Sequence, residues 1–571
     1  MTELAQPYSA QFARSRKLPL ISIICVFAAA LLLTAAWQAW LHPDESYYII
    51  GAAQMNETGN YLVPHTVLGD IRVNKPPLTY HYVVAGFALL GDSFLAARLF
   101  FVVSAAMVVA LTYALALAVG ARGIGPAIAS AALAGNFMFF KSGYTAIPDM
   151  PATLGLTAAL LGFARMLGTA NRPFWASYAA YGGLAFAVLA KGLLAVPLLL
   201  LAVGLRVWRA RGNGGSIDRP EALAIVLAAL IGSSWYVWIL LQAPDAFLAQ
   251  FLGDQVTDKV GFGARLLFKG LATNALNLVL GFLPFLLITA TRWLSLPRLT
   301  VPSAPVLLLV AWLVLVVVLF SLSEFLTERY MVPAMPALAA LIGLTAGNLS
   351  PLNLQFRLLW SVRILSVLPL LAAALSIAIL LSSGSVISGL ILTLITICAF
   401  LLVWRIRKPG IQLVVLASMQ ALVLFAAYPG YRVIALPEVW EVAVNEIASA
   451  GLVASDVAIA GTGKDNDARR LLVQLGLLRG PMLDYEFENG TDPVGVAAAT
   501  EKLMPDVRLI VTLSAPLAKE LGRRGYTVTR RVGSLQKVSF AALAQAIRTR
   551  DFDRLRRRGG KPIFLIRAAG L

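Results

Sequence analysis

The 571-residue chain is 59% hydrophobic and 13% charged, against about 25% charge in soluble globular domains, and its mean hydropathy is +0.78. That composition excludes a water-soluble protein and indicates a polytopic membrane protein. The formal net charge of +18 does not indicate nucleic acid as a partner, because most of the excess is arginine spread among short loops between apolar runs, as membrane topology requires.

Arg14, Arg16 and Lys17 precede an apolar run from Leu18 to Leu41, longer than the roughly 7 to 15 apolar residues of a cleaved signal. A retained first helix starting in the cytoplasm is expected. Further runs lie near 95–119, 124–143, 150–168, 174–190, 192–208, 221–241, 271–290, 304–322, 331–348, 364–382, 386–404 and 411–427. Thirteen crossings put the termini on opposite sides. The loops holding Arg122, Arg165, Arg172, Arg206, Arg209, Arg211, Arg219, Arg292, Arg298, Arg357, Arg363, Arg405, Arg407 and Lys408 then alternate as cytoplasmic. Lys191 interrupts the long apolar stretch from Phe174 to Trp208, which predicts two short helices meeting at Lys191-Gly192.

The opposite face holds loops at 42–94, 141–151, 242–270 and 321–330, the first with juxtamembrane helices. Residues 1–428 therefore read as the membrane domain. After Tyr428 the composition turns soluble. Strand-like runs at 457–461, 507–513 and 562–568 alternate with helical patterns at 466–478, 494–504, 516–524 and 539–558. A small extracytoplasmic α/β domain over 437–571 is predicted.

Several motifs fail on their own chemistry. GTGK at 461–464 follows a strand, but a phosphate loop needs Gly at 458 and Ser or Thr at 465, where the chain has Ala458 and Asp465. GARGIG at 120–125 joins two membrane helices and has misspaced glycines. Cys25 and Cys398 each lie inside an apolar run and build neither a disulfide framework nor a zinc site. His42, His65 and His81 all fall in the first external loop without ligand spacing, so no cofactor is required, a divalent metal at these histidines being the alternative.

Charge without a topological purpose gathers on the external face. HPDESYY (42–48) follows the first helix and places Asp44, Glu45 and Tyr47 at the bilayer boundary. A carboxylate there can act as a general base or orient a nucleophile, although a helix N-cap also explains Asp44. NKPPLTYHY (74–82) carries Lys75 at the level of phosphate head groups, with Arg72 just before it; a snorkelling lysine is the alternative. Asp149 stands between prolines in AIPDMP (146–151), where a cap and an active-site carboxylate are compatible. The third loop supplies Asp254, Asp258, Lys259, Arg265 and Lys269, and the fourth supplies Glu324, Glu328, Arg329 and Tyr330. The fourth loop's charges can also pair among themselves.

No nucleotide sugar is available outside the cytoplasmic membrane, so sugar transfer there needs a donor carried on a membrane lipid phosphate. Such a reaction requires cations for the departing phosphate and a carboxylate for the acceptor. In order along the chain, HPDESYY, NKPPLTYHY, PDMP, AKGLLAVP and ERYMVPAMPALA resemble the GT-C glycosyltransferases of the aminoarabinose transferase (ArnT) and protein O-mannosyltransferase kind.

The resemblance implies a 13-helix α-helical membrane domain and transfer of a monosaccharide from a polyprenyl-phosphate donor by single displacement with inversion. It implies Asp44 as the principal catalytic carboxylate, Asp149 as a second, Lys75 on the donor phosphate and Tyr330 lining the pocket. Family members often carry Arg three residues after the Asp, whereas this chain has Tyr47. Arg72, Lys259 or Arg329 is expected to compensate. The acceptor is a lipid A-type glycolipid or a protein, the location the bacterial inner membrane. The rival reading is a transporter or flippase, which needs polar groups near the bilayer midplane and often repeated halves.

Overall fold

The computed structural model describes residues 17–36, 42, 44–66, 71–168, 173–192, 194–213, 217–252, 264–294, 303–323, 326–434, 445–452, 456–460, 482–483, 508–535 and 540–567. The chain enters through α1 (Lys17–Ala35), continues into α2 (Glu45–Thr58) and α3 (Leu78–Leu90), and turns into α4 (Phe94–Ala118). Next come α5 (Gly125–Ala134), α6 (Phe137–Tyr144), α7 (Asp149–Gly168), α8 (Phe174–Lys191), α9 (Ala195–Asn213), α10 (Arg219–Gln242) and α11 (Pro244–Leu252). The remaining membrane helices are α12 (Ala264–Leu294), α13 (Ala304–Ser321), a 3-10 turn at Glu328–Ala334, α14 (Met335–Ala346), α15 (Pro351–Leu365), α16 (Val367–Ser382), α17 (Val386–Arg405), α18 (Pro409–Ala417) and α19 (Met419–Ile434).

Among the described residues, eight helical segments are long and apolar enough to cross a membrane, and nine if the bent pair α18–α19 counts as one span. The chain is a multi-pass membrane protein. Among the described residues all thirteen apolar runs are helical, but those at 124–143, 364–382 and 411–427 are interrupted and the run at 331–348 opens on a 3-10 turn. The run at 124–143 divides because Asn136 starts a new helix, its Oδ1 accepting from the Met138 and Phe139 amides at 3.0 and 3.1 Å. The Gln420 amide donates to the Ala134 carbonyl that the break releases. The run at 411–427 bends by 49° at Ser418. Arg357 and Arg363, expected in a loop, lie within α15, where Arg357 reaches the Ile288 carbonyl at 2.8 Å.

Lys191-Gly192 is a helix junction, as expected: α8 ends at Lys191, and Gly192 adopts φ +85°, a conformation that disfavours side chains. The short connection makes α7 and α8 an antiparallel hairpin. Gly155 and Gly162 on α7 face Gly183 and Ala180 on α8 so closely that an added Cβ would strike backbone. Close approach through small residues is how membrane helices gain packing contact. The same pairing sets the first residue of α7, Asp149, beside the last residue of α8, Lys191.

The C-terminal sheet holds β1 (Val457–Ala460), β2 (Met482–Leu483) and β3 (Leu509–Thr512), then α20 (Ala515–Arg523), β4 (Thr527–Leu535), α21 (Phe540–Thr549), α22 (Phe552–Gly559) and β5 (Gly560–Arg567). Its order is β2-β1-β3-β5-β4, parallel across β2-β1-β3 and antiparallel at β5 and β4. The three strand-like runs are strands. TVTRRVGSL, with two adjacent arginines, hides a fourth, β4; it is an edge strand, where charge is tolerated and discourages further pairing. The helix expected over 539–558 divides at Arg550, whose φ is +56°. GTGK and the helical patterns at 466–478 and 494–504 lie outside the described residues.

Candidate active site

The loop at 42–94 is fastened at several points before any charge meets another. Gln250 on α11 accepts from the Val73 amide and donates to the Ile71 carbonyl, each at 2.9 Å. Trp235 donates to the Leu62 carbonyl at 2.9 Å, and Val63 and Val73 pack with Ile239, Phe247 and Phe251. His81 approaches the Tyr61 carbonyl at 2.7 Å and His65 bridges Ile71. These histidines serve the loop's own architecture. Among the described residues no group of three or more metal-binding side chains gathers.

Beneath this loop, Glu45 is fully buried and accepts from three directions. Arg98 on α4 donates to both its oxygens at 2.8 Å, the Ala146 amide donates at 2.7 Å and the His42 amide at 2.8 Å. Arg98 also donates to the Ala35 carbonyl at 3.1 Å. One buried ion pair thus ties together the end of α1, the start of α2 and the segment leading into α7. Glu45, which from its position at the bilayer boundary reads as a residue that would touch substrate, is instead closed off: both oxygens are occupied and the side chain has no exposed surface. It positions its neighbours Asp44 and, through Ala146, Asp149.

Asp44 occupies the N-cap position of α2 without making a cap hydrogen bond. Its carboxylate instead accepts from Arg329 Nη2 at 2.7 Å, across 285 residues of sequence, with side-chain exposures of 37% and 22%. Asp149 accepts from Lys191 Nζ at 2.5 Å. Arg329 feels the charges of both carboxylates. Tyr330 stands between the two cations: Lys191 Nζ lies 5.2 Å and the Arg329 guanidinium carbon 5.8 Å from its ring centroid, and the ring stacks on Phe320 at 4.8 Å. Among the described residues of the fourth loop, Glu328 and Arg329 do not pair with each other, since Glu328 pairs with Lys141 on α6 at 2.8 Å and Arg329 with Asp44.

His42 completes the group. Its Nδ1 accepts from the Asp44 amide at 3.1 Å, which requires a neutral ring on that nitrogen. Burial, then the Arg329 guanidinium, holds its pKa below the ordinary value.

Arg72 lies flat against Tyr47, 3.6 Å from ring centroid to guanidinium carbon, and 5.8 Å from the Tyr48 ring. Its Nε donates to Asn74 at 3.4 Å, while Nη1 is buried and makes no hydrogen bond among the described residues. Lys75 is half-buried in the bend before α3. Lys259, Asp254, Asp258 and Glu324 lie outside the described residues, and Arg265 and Lys269 are exposed on α12.

The structure therefore brings Asp44, Asp149, Arg329 and Tyr330 into one cluster and sets Tyr47 and Arg72 in a stacked pair beside it. Sequence reasoning missed Arg98, hidden near the start of an apolar run, and assigned Lys191 to topology. A lysine interrupting an otherwise uncharged stretch was the available signal for the second. A cavity of about 690 Å³ runs between α8, α9, α10 and α11, from Tyr181 and Arg206 to Tyr236, Phe251 and Val188, three residues before Lys191, with an almost wholly apolar lining.

Residues 18–248 match the family model for dolichyl-phosphate-mannose-protein mannosyltransferases. The chain is 29% identical over 324 residues to the undecaprenyl phosphate-alpha-4-amino-4-deoxy-L-arabinose arabinosyl transferase of Erwinia tasmaniensis, covering 55% of this chain and 56% of that one. The enzyme of the same name from Pseudomonas savastanoi is 27% identical over 328 residues, covering 56% and 60%. A protein of Aquifex aeolicus is 26% identical over 367 residues, covering 62% and 68%. The chain thus spans between half and about two thirds of the length of these curated relatives. The crystal structure of ArnT from Cupriavidus metallidurans bound to undecaprenyl phosphate superposes with a TM-score of 0.67 at 18% identity, covering 96% of this chain and 98% of that one. The chain shares the fold of that ArnT, and its sequence is similar to the undecaprenyl-phosphate arabinosyl transferases and, over residues 18–248, to the mannosyltransferase family model.

Proposed function

We propose that this GT-C chain is an integral membrane glycosyltransferase that moves a monosaccharide from a polyprenyl-phosphate donor to an acceptor outside the cytoplasm, either a lipid A-type glycolipid or a protein. The single observation that carries this reading is the meeting of two carboxylate–cation pairs, Asp44–Arg329 and Asp149–Lys191, around Tyr330. The matches to undecaprenyl-phosphate arabinosyl transferases support the same donor class.

In this scheme the acceptor oxygen attacks the anomeric carbon as the bond to the donor phosphate breaks. Polyprenyl phosphate leaves with both electrons of that bond, and the sugar inverts. Asp44 faces the acceptor and orients it or takes its proton. Arg329, Lys191, Lys75 and Arg72 stabilise charge on the departing phosphate. Asp149 holds Lys191, and Tyr330 lines the space between the cations. Arg72, stacked on Tyr47 with an unsatisfied Nη1, stands where relatives often carry an arginine at position 47. The apolar cavity that reaches Val188 on α8 suits the lipid tail of the donor.

Catalysis belongs to residues 1–428, with the N-terminus cytoplasmic and the domain over 437–571 on the outer side of the bacterial inner membrane. The test is mass spectrometry of envelope lipids and glycoproteins from a strain lacking the protein, complemented with wild type or with Asp44→Asn. A sugar modification restored by wild type and absent with the variant supports the proposal. Restoration by both overturns it.

A further inference from the structure

We infer that the arginine-rich segment of α21 and α22 is a docking surface for anionic phospholipid head groups, in the leaflet at which α16 ends. Residues 548–558 carry six arginines against two aspartates, and the argument rests on where the fold sets this charge. Phe552 and Leu555 of α22 are buried against Ile379 of α16, with Val433 of α19 beside them. Ile379 lies three residues before α16 ends at Ser382, the end of a membrane span, or about 4.5 Å along the helix axis. Around that end, Leu381, Val386 and Ile387 expose 41, 50 and 75% of their surface, as side chains in contact with acyl chains do. Helix α22 is therefore held at the level of the head groups.

The apolar residues of α22 are consumed by protein contact, so the helix cannot insert. It meets the membrane through its polar residues instead. Arg548, Arg550 and Arg554 are exposed, and none pairs with a carboxylate among the described residues. Basic residues at a membrane surface are drawn to anionic lipids by an attraction that is screened by salt. The occupant that this charge and this depth select is an anionic phospholipid such as phosphatidylglycerol, whichever function the membrane domain performs.

The experiment uses the full-length protein in nanodiscs of either phosphatidylglycerol or phosphatidylcholine, with amide hydrogen exchange followed over 540–559 and α20 as internal reference. Exchange should be at least about fivefold slower in phosphatidylglycerol, the effect of roughly one surface arginine, with α20 unchanged relative to it. The difference should vanish at high salt and in the triple variant Arg548→Gln, Arg550→Gln, Arg554→Gln. Equal exchange in the two lipids overturns the inference, as does a slowing that survives high salt. The salt comparison needs no variant, so it decides the matter even if the triple variant misfolds.

Discussion

Arg98 and Glu45, 53 residues apart, share two hydrogen bonds of 2.8 Å with neither side chain exposed to solvent. The pair ties together the end of α1, the entrance of α2 and the segment leading into α7, through the carbonyl of Ala35 and the amides of His42 and Ala146. Removing one partner of a buried pair costs about 3–5 kcal/mol, because the other charge remains buried without compensation. Arg98→Met and Glu45→Leu should each lower the melting temperature sharply. The double variant should recover much of the stability but not transfer, since the His42 and Ala146 amides still lack their acceptor. Thermal scans in detergent alongside a transfer assay check both halves; a single variant as stable as wild type contradicts the reading.

The Asp44–Arg329 pair is partly open to water, at 37% and 22% exposure, and such pairs contribute about 0–1 kcal/mol. Asp44→Asn should therefore fold, insert and melt like wild type. Transfer should fall by about 10²–10⁴-fold, the usual contribution of a general base. Lys191→Met is the contrasting case: it leaves Asp149, 4% exposed, without its cation, so stability and transfer should fall together. Normal transfer by well-folded Asp44→Asn protein would remove Asp44 from the chemistry.

Arg72 stacks on Tyr47 at 3.6 Å with Nη1 unsatisfied. Arg72→Ala should raise the KM for the lipid-phosphate donor about tenfold or more, the loss of one charge-assisted hydrogen bond of about 1.5–3 kcal/mol. Placing arginine at the neighbouring position, Tyr47→Arg in the Arg72→Ala background, should restore part of it. Initial rates against donor concentration test this; an unchanged KM in Arg72→Ala rules out the phosphate role.

His42 is held below its ordinary value of 6.5, first by burial and then by Arg329. As pH falls through 6.5 the unfolded chain takes up a proton there while the folded chain does not. The unfolded state then binds more protons, so stability is intact above 6.5 and declines below it, down to the lowered folded-state value. Melting temperatures from about pH 8 to about pH 5 should fall. The fall should be shallower in His42→Asn, which retains an acceptor for the Asp44 amide. An identical slope in that variant would show that His42 does not titrate as described.

Much of this protein was determined by sequence alone, because the bilayer acts on composition. Backbone groups in hydrocarbon must be satisfied within a helix, so apolar runs, and the arginines that punctuate them, mark the helices before any packing is known. The same holds for the strands β1, β3 and β5, whose apolar residues are buried in the sheet. Asp44 and Asp149 could be singled out because both stand at helix entrances that the alternation of arginine-bearing loops assigns to the same face of the membrane.

Only tertiary structure decided how those charges are used. Which cation faces which carboxylate depends on glycine-mediated approach of α7 to α8 and on a 3-10 turn that returns Arg329 to Asp44 across 285 residues. Local sequence carries no record of a partner that distant. Glu45 read like its neighbour Asp44 until burial separated them, and Arg98 was invisible within an apolar helix until Glu45 was found opposite it. The break at Asn136 is capped locally, but the carbonyl it frees is satisfied only from a distant helix, by Gln420.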